Sequence, residues 1–324
     1  MKKSITFANI TTECGERKNA WVSVPGTDAQ LPVTVINGVR DGKAVLITSA
    51  IHGCEYPSIE AIFQLAETIN PAEISGALIF INPVNVEAFL TRTPYLVPAD
   101  SKNLNRLFPG DPNGTAGDRI AYFIAREFQK KVDFHIDTHG GDIPEAQPDY
   151  VYYPGISEDP EVVKKSKEAT KYVLHAQFAI QSRAVNHAYT NAAVMGVPSV
   201  ELELGDCGTW TKDEVEQYKE NVLNLLKYLD VYPGTPVKRD KPLPLITKAE
   251  YPDADSSGRW YAFVEKDASV KKGQKLGEIR DLFGNLLHEY YAEYDASILM
   301  IIHSLAVKKG DPIVAYGAVS YDAG

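Results

Sequence analysis

The sequence predicts an α/β protein with a mixed, mostly parallel central sheet, flanking helices and a small all-β domain towards the carboxyl end. Short apolar runs alternate with longer helical patterns up to about residue 235, and two of these runs are nearly continuous. Beyond a proline-rich stretch, helical periodicity is no longer found. Alternating strands and helices are typical of a sheet covered by helices, and continuously apolar strands are typical of its buried middle.

The first 235 residues contain the predicted helices and most of the predicted strands. The expected strands are 31–37, 44–51, 77–82, 132–137, 149–153, 178–181 and 199–204, of which 44–51 and 77–82 are the nearly continuous apolar runs. The expected helices are 57–69, 117–130, 159–173, 186–195 and 212–229. Such an order favours a parallel or mixed sheet.

A linker is predicted from Val231 to Pro244, where four prolines occur. It divides the chain into a domain over 1–235 and a small β-barrel or sandwich domain over 236–324. Within the second domain, Val270-Lys-Lys-Gly-Gln-Lys-Leu-Gly277 resembles Val307-Lys-Lys-Gly-Asp-Pro-Ile-Val314. Two copies of a strand–turn–strand unit suggest internal pseudosymmetry. The alternative is that the lysine-rich turns are ordinary solvated loops.

Composition excludes several classes of protein. The chain has 324 residues, 44% hydrophobic and 23% charged, as in ordinary globular proteins. Its net charge of −10 gives no support to nucleic-acid binding. No stretch approaches the ~20 apolar residues of a membrane span, and the amino terminus lacks the pattern of a signal peptide. Cys14, Cys54 and Cys207 lie far apart, which suits a reduced compartment, so a cytoplasmic protein is expected.

A metal site is predicted first from His52 and Glu55, which directly follow the strand at 44–51. Side chains three apart in a turn can converge on one ion. Zinc accepts imidazole nitrogen and carboxylate oxygen, and catalytic zinc sites leave the fourth position for water. A histidine and a glutamate three apart often occur by chance, so the prediction depends on a third ligand from elsewhere in the sheet.

The third ligand is predicted to be His139. It lies at the carboxyl end of its strand before Gly140-Gly141, and sites in open α/β sheets lie outside the carboxyl ends of strands. His135 is within the apolar run and is expected to be a hydrogen-bonded core histidine. Asp137 is expected to orient a ligand or a water molecule. One zinc ion per chain, held by His52, Glu55 and His139, is therefore expected.

Charged residues elsewhere complete the predicted site. Glu203, near the end of its strand, is expected to be the general base, whereas Glu201 is expected to be a salt-bridged or water-facing structural residue. Arg106 beside Asn105 can bind a substrate carboxylate, since a guanidinium donates two parallel hydrogen bonds to a carboxylate and the neighbouring amide can add a third. Arg92 can polarise the scissile carbonyl. Each arginine alone is more often a surface ion-pair partner.

Five ordered motifs span about residues 35–210. They are His52-Gly-Cys-Glu55, Asn82-Pro-Val-Asn-Val-Glu-Ala-Phe89, Asp100-Ser-Lys-Asn-Leu-Asn-Arg-Leu-Phe-Pro-Gly110, Asp137-Thr-His-Gly-Gly-Asp142 and Glu201-Leu-Glu-Leu-Gly205. In these motifs the chain resembles the succinylglutamate desuccinylase/aspartoacylase family, within the zinc carboxypeptidase-like hydrolases. The carboxyl-terminal β segment also resembles that of the longer members.

The resemblance implies a zinc carboxypeptidase-like fold and a role for each candidate residue. It implies that zinc is held by His52, Glu55 and His139, with Glu203 as base, Arg106 and Asn105 at the substrate carboxylate, and Arg92 near the carbonyl. Three departures occur. Cys54 and Asn103 stand where aspartates are common in the family, and Thr138 replaces the usual leucine. None of these removes a ligand, but they bear on the surroundings of the metal and on substrate preference.

The preferred hypothesis is a zinc-dependent amide hydrolase that removes an acyl group from an N-acyl amino acid or a similar small carboxylate. A zinc carboxypeptidase acting on peptides is the related alternative. A non-catalytic binding module with a structural zinc is the alternative from another class, although structural zinc is normally closed by four protein ligands. The acyl group and the amino acid are not predicted, and self-association into a homo-oligomer is left open.

Overall fold

A computed structural model describes residues 3–321 of the chain. Within this range the strands are β1 (Ile5–Phe7), β2 (Ile10–Thr12), β3 (Glu16–Ser23), β4 (Gln30–Asn37), β5 (Arg40–Ser49), β6 (Ser75–Ile81), β7 (Leu96–Val97), β8 (Lys102–Asn103), β9 (Phe134–His139), β10 (Glu145–Ala146), β11 (Tyr150–Pro154), β12 (Phe178–Ser182), β13 (Ser199–Glu203), β14 (Leu245–Glu250), β15 (Gly258–Ala262), β16 (Ser269–Val270), β17 (Lys275–Arg280), β18 (Leu286–Tyr291), β19 (Ala296–Ile302), β20 (Ala306–Val307) and β21 (Val314–Ser320).

The helices agree with the predicted ones, with one addition. The α-helices are α1 (Tyr56–Thr68), α2 (Val86–Thr91), α3 (Ala116–Glu127), α4 (Pro160–Ala169), α5 (Ala188–Val194) and α6 (Lys212–Tyr228), and short 3-10 helices cover Pro71–Glu73, Leu104–Arg106, Gln129–Lys131 and Thr170–Tyr172. The addition is α2, which is only six residues long. Within residues 3–321, no helix has both the length and the apolar character needed to cross a bilayer.

One mixed sheet runs through the molecule in the order β10-β19-β21-β14-β12-β11-β13-β9-β5-β6-β4-β3, and β16 also pairs with β19. Its centre is parallel, because β6, β5, β9 and β13 run in the same direction. Strand β11 is antiparallel to β13 and parallel to β12. The prediction of an α/β fold with a mixed sheet is confirmed. The expectation that this sheet is mostly parallel is wrong, because its described part has five parallel and seven antiparallel strand pairs.

The central strands are apolar on both faces because helices cover both. Val45 and Ile47 of β5 pack in a cluster with residues of α1 and α6. Leu46, between them, faces the other way into a cluster with residues of α3 and α5. This alternation explains why the sequence of β5 is continuously apolar. Helix α3 begins with a capping box between Thr115 and Asp118, which fixes its amino-terminal end beside the sheet.

After α6, the described residues form strands and no helix, as the sequence predicts. A separate four-stranded sheet has the order β18-β17-β15-β20. However, β14, β19 and β21 continue the large sheet, with β14 parallel to β12. The sheet therefore crosses the proposed boundary at 235/236, and the division into two domains stays a prediction.

The two similar segments of the carboxyl-terminal part adopt the same turn. In the first, Gln274 Oε1 accepts a hydrogen bond from the Lys271 N–H at 3.1 Å. In the second, Asp311 Oδ2 accepts one from the Lys308 N–H at 2.7 Å. The first turn leads from the large sheet (β16) to the small one (β17), and the second leads from the small sheet (β20) back to the large one (β21). The two segments therefore share a local turn, and the internal pseudosymmetry of this part of the chain stays a prediction.

Candidate active site

The carboxyl ends of β5, β9 and β13 lie side by side. In the parallel register, Thr48 is opposite Asp137, Asp137 is opposite Glu201, and His139 is opposite Glu203. The turn after β5 then carries His52 and leads into α1. Because parallel strands end at the same edge, the three motifs that the sequence singles out meet there.

His52, Glu55 and His139 converge on one point. Glu55 occupies the position before α1, but its carboxylate makes no capping hydrogen bond and lies between the two imidazoles instead. Glu55 Oε1 is 2.7 Å from His52 Nδ1, and Glu55 Oε2 is 3.0 Å from His139 Nδ1. The two imidazole ring centres are 5.0 Å apart, and one candidate ligand atom from each residue lies within 4.8 Å of the others. The structure thus brings the predicted ligands together.

The chemistry of this group fits zinc. Two imidazoles and one carboxylate are a typical donor set of catalytic zinc sites. All three side chains are buried, and Glu55 Oε2, although 3.0 Å from His139 Nδ1, has no hydrogen bond of suitable geometry among the described residues. Burial disfavours the charged form of His139, but Glu55 and Asp137 outweigh it and raise its pKa well above the usual value. The site therefore attracts positive charge.

His135, the other histidine of β9, is a core residue, as the sequence predicts. It is fully buried, its Nε2 lies 2.7 Å from Thr48 Oγ1, and its Nδ1 lies 3.4 Å from Gln129 Nε2. Thr48 Oγ1 in turn donates to Asp137 Oδ1 at 2.6 Å. Burial lowers the pKa of His135 to about 4, so this imidazole is neutral.

Glu203 lies at the end of β13 and is partly accessible. Its Oε2 accepts a hydrogen bond from Gln147 Nε2 at 3.0 Å, and Gln147 Oε1 accepts one from Tyr150 at 3.1 Å. Burial raises the pKa of Glu203 well above the usual value, although the nearby His139 lowers it. A carboxylate with a raised pKa at the end of a strand is suited to accept a proton.

The 3-10 helix Leu104–Arg106 places Asn105 and Arg106 beside the site. Asn105 is buried, its Nδ2 donates to Glu201 Oε2 at 3.2 Å, and its Oδ1 accepts from the Ala188 N–H at 2.9 Å. Arg106 is exposed and donates to the carbonyl of Asn105 at 2.9 Å. Among residues 3–321, no carboxylate forms an ion pair with Arg106, so its guanidinium is available to an anionic ligand.

Arg92 ends α2 in the left-handed conformation, with a φ of 55°. Helix α2 packs on the turn that carries the candidate metal ligands, since a Cβ on Gly53 would lie 2.4 Å from the carbonyl carbon of Ala88. The side chain of Arg92 is exposed and forms no hydrogen bond or ion pair within the described part of the chain. The structure thus places Arg92 on an element beside the site, without a direct contact to the ligands.

The residues that depart from the family pattern keep structural roles. Asn103 Oδ1 lies 3.1 Å from His52 Nε2, so it supports that imidazole as an aspartate there would. Cys54 is buried, and burial raises the pKa of its thiol to about 12, which makes it unreactive. Thr138 donates to the carbonyl of Thr48 at 2.7 Å and ties β9 to β5.

Sequence reasoning missed two acids and a tyrosine near the site. Burial raises the pKa of Glu145 to about 7 and that of Asp142 to about 6. Asp142 is the last residue of the motif that begins at Asp137. Its carboxylate accepts hydrogen bonds from the backbone N–H groups of Tyr95 and Ile143, and no sequence pattern predicts these contacts. Tyr251 comes from the segment after the linker, and its hydroxyl lies 2.9 Å from that of Tyr152.

The chain is similar to known proteins along most of its length. The model of the succinylglutamate desuccinylase/aspartoacylase catalytic domain matches residues 41–229, more than half of the chain. The N-alpha-acetyl-L-2,4-diaminobutyric acid deacetylase of Halomonas elongata is 27% identical, over 93% of this chain and 88% of that protein.

Solved structures share the fold over nearly the whole chain. The succinylglutamate desuccinylase/aspartoacylase of Rhodobacter sphaeroides is similar with a TM-score of 0.81 and 23% identity, over 94% of this chain and 96% of that one. The ectoine utilization protein EutE (DoeB) of Ruegeria pomeroyi is similar with a TM-score of 0.82 and 24% identity, over 93% of this chain and 95% of that one. The predicted resemblance is confirmed: the chain belongs to the succinylglutamate desuccinylase/aspartoacylase family.

Proposed function

We propose that this protein is a zinc-dependent deacylase that hydrolyses the amide bond of an N-acyl amino acid. The observation that carries the proposal is the convergence of His52, Glu55 and His139 at the edge of the sheet where Glu203 also ends its strand. Family membership supports it, since relatives carry the names deacetylase and desuccinylase.

In this proposal zinc is held by His52, Glu55 and His139. When bound, it supplies a Lewis acid that polarises the acyl carbonyl and makes a water molecule more acidic. The protein contributes a rigid, buried set of ligands. Glu55 is fixed by the start of α1, and His139 is fixed by the end of β9, so the site needs little reorganisation to receive the ion.

Glu203 acts as the general base. Its carboxylate takes a proton from the attacking water and then passes it to the leaving amine. Gln147 holds one of its oxygens, and that glutamine is itself held by the Tyr150 hydroxyl, so the carboxylate keeps one orientation. Burial raises the pKa of Glu203 well above its usual value, which makes the carboxylate a stronger proton acceptor than a solvent-exposed glutamate.

Arg106 and Arg92 bind two different groups of the substrate, its carboxylate and its acyl carbonyl. Arg106, which lacks an acidic partner among the described residues, binds the carboxylate of the amino acid, and Asn105 adds a hydrogen bond from the amide hydrogen that Glu201 does not use. Arg92 approaches the acyl carbonyl when substrate is bound and stabilises the charge that develops there.

The first experiment combines metal analysis with a substrate panel. Purified protein should contain one zinc ion per chain and should hydrolyse at least one N-acyl amino acid. The panel includes N-acetyl-L-2,4-diaminobutyrate and N-succinylglutamate, because relatives are named for such substrates, and short peptides. Hydrolysis of peptides alone would replace this proposal with the carboxypeptidase hypothesis.

The base is tested with Glu203→Gln. This variant should retain zinc but lose turnover by roughly 100-fold or more, because general base catalysis contributes about 10²–10⁴-fold. Zinc content is measured on the same sample as the rate. Wild-type turnover by a zinc-loaded Glu203→Gln variant would show that another group accepts the proton.

A further inference from the structure

The two nitrogens of His139 face different partners. Nδ1 points to Glu55, on the side of the candidate metal ligands, at 3.0 Å. Nε2 points to the opposite side, where it lies 3.5 Å from Asp137 Oδ2 and 3.6 Å from Glu201 Oε2. If Nδ1 binds a metal, Nε2 carries the proton and needs an acceptor. Two buried carboxylates lie where such an acceptor is required.

Asn105 fixes the position of Glu201. Its Oδ1 accepts the backbone N–H of Ala188, so its nitrogen must be the atom that points to Glu201. That nitrogen is also 3.5 Å from His139 Nε2. Two N–H groups cannot hydrogen-bond to each other. The N–H groups of Asn105 Nδ2 and of His139 Nε2 therefore both need a carboxylate oxygen as acceptor. Glu201 Oε2 is 3.2 Å from the Asn105 nitrogen and 3.6 Å from His139 Nε2, so a small movement of the ring would bring it to hydrogen-bonding distance of both.

The surroundings of Glu201 fit neither of the two roles expected from the sequence, which were a salt-bridged residue and a residue facing water. Only 3% of the residue is exposed, and β13 lies between β9 and β11 rather than at an edge. Among residues 3–321, no lysine or arginine forms an ion pair with Glu201, and His139 is the basic side chain in contact with it. A buried carboxylate without a partner is costly, so its contact with His139 is the interaction that offsets the cost.

Asp137 offers a second carboxylate oxygen near His139 Nε2. Its Oδ1 is occupied by Thr48, whereas its Oδ2 is fully buried and has no hydrogen-bonding partner among the described residues. The distances from His139 Nε2 to Asp137 and to Glu201 differ by only 0.1 Å (3.6 − 3.5). The Nε2–H of His139 thus faces two carboxylates, Asp137 of the same strand β9 and Glu201 of the neighbouring strand β13.

We propose that Glu201 is a positioning residue, which accepts the Nε2–H of His139 together with Asp137 and so keeps Nδ1 free to bind zinc. The inference rests on the proposed function and extends it. Carboxylates that accept the second N–H of a ligating histidine fix its tautomer and its ring orientation, and they make it a stronger ligand. Through Asn105, Glu201 also connects this ligand to the 3-10 helix that carries Arg106.

The test is zinc affinity, measured by competition with a chromophoric chelator, so that it is independent of any substrate. Glu201→Gln removes the charge and keeps the shape, and it should weaken zinc binding roughly 10- to 100-fold. Glu278→Gln is the control, because it makes the same change at a buried carboxylate of β17, in the separate four-stranded sheet, and should leave zinc affinity at the wild-type value. Asp137→Asn should weaken it as Glu201→Gln does.

Two further measurements separate positioning from general structural damage. The absorption spectrum of the cobalt-substituted protein should change in Glu201→Gln, because the orientation of His139 alters the ligand field, and it should not change in the control. The double variant Asp137→Asn/Glu201→Gln should lose less affinity than the sum of the single losses, since both carboxylates act on one N–H. The melting temperature of the metal-free variants reports whether they fold.

The outcomes are distinguishable. A wild-type protein that binds no zinc would overturn the proposed function itself. A zinc-binding wild type, with affinity and cobalt spectrum unchanged in a folded Glu201→Gln variant, would overturn this inference alone. Two metal ions per chain, reduced to one by Glu201→Gln, would also overturn it, because Glu201 would then be a direct ligand.

Discussion

The two histidines of β9 have opposite environments although they are only four residues apart. His139 is surrounded by carboxylates, whereas His135 is bonded to the neutral groups Thr48 and Gln129. Since Thr48 donates to Asp137, His135 must donate from Nε2 and accept at Nδ1. A neutral imidazole is also what the low pKa of about 4 indicates. Protonation of His135 at Nδ1 would place two N–H groups opposite each other and break the hydrogen bond from Gln129.

The pH dependence of the unfolding free energy tests whether the buried imidazole of His135 is neutral. The pKa of His135 is about 4 in the folded protein, below the 6.5 of a free histidine. Its contribution to stability is therefore complete above about pH 6.5 and is lost as the pH falls towards 4. Between pH 7 and 4 the wild type should lose roughly 3 kcal/mol more of its unfolding free energy than His135→Gln loses. Urea unfolding at several pH values measures the two slopes, and equal slopes would contradict a neutral buried His135.

At the scale of secondary structure, the candidate site depends on how α2 packs. Gly53 lies between His52 and Glu55, and the backbone of α2 leaves no room for a side chain there. The closest atoms would be the Ala88 carbonyl carbon at 2.4 Å and the Phe89 nitrogen at 2.5 Å. Both are backbone atoms of a helix, so the helix or the turn would have to move.

Gly53→Ala is therefore expected to lower the unfolding free energy by about 1–3 kcal/mol, the usual cost of overpacking, and to weaken zinc binding. Denaturant unfolding and chelator competition measure the two effects. Gly310→Ala is a suitable control, because its φ of +90° strains any side chain while nothing lies within 4 Å. It should cost stability but leave zinc affinity unchanged. A Gly53→Ala variant with wild-type zinc affinity would show that the turn tolerates the shift.

The order of elements could be predicted where local patterns are strong. The strand at 44–51 and the helix at 57–69 were predictable because their apolar residues are periodic, and the convergence of His52 and His139 followed from the end of each strand. Helix α2 was not predictable, since six residues are too short for periodicity. The place of Tyr251 beside Tyr152 depends on contacts between residues about a hundred positions apart, which the sequence does not encode locally.

At the scale of the whole molecule, the carboxyl-terminal strands share one sheet and one apolar cluster with the part of the chain that carries the candidate site. Ala146, Tyr150 and Ile180 pack in this cluster with residues of β19 and β21. The alternation of elements predicted the α/β part and the all-β part separately. The pairing of β14 with β12 could not be predicted, because a proline-rich segment hides the continuity of the sheet.

A chain that ends at residue 235 tests the predicted division into domains. Its β12 would lose β14, and its β10 would lose β19, so apolar surface around Ile180 would be exposed. We expect this truncated chain to unfold at a lower denaturant concentration and to bind zinc more weakly than the full chain. Circular dichroism and chelator competition measure both. A truncated chain with wild-type stability and zinc affinity would instead show that 1–235 is an independent domain.

The pairing of Glu145–Ala146 with Ile301 and Ile302 has a consequence for biosynthesis. The segment from Gly140 to Glu145 leaves the ribosome more than 150 residues before the strand that holds it (302 − 145 = 157). Until residue 302 has been translated, the segment from Gly140 to Ala146 lacks β19, the strand with which it pairs. Closing a loop of this length is also slow compared with forming local contacts. In a nascent chain the candidate zinc ligands are therefore synthesised early, and the strand that completes the structure around them is added late.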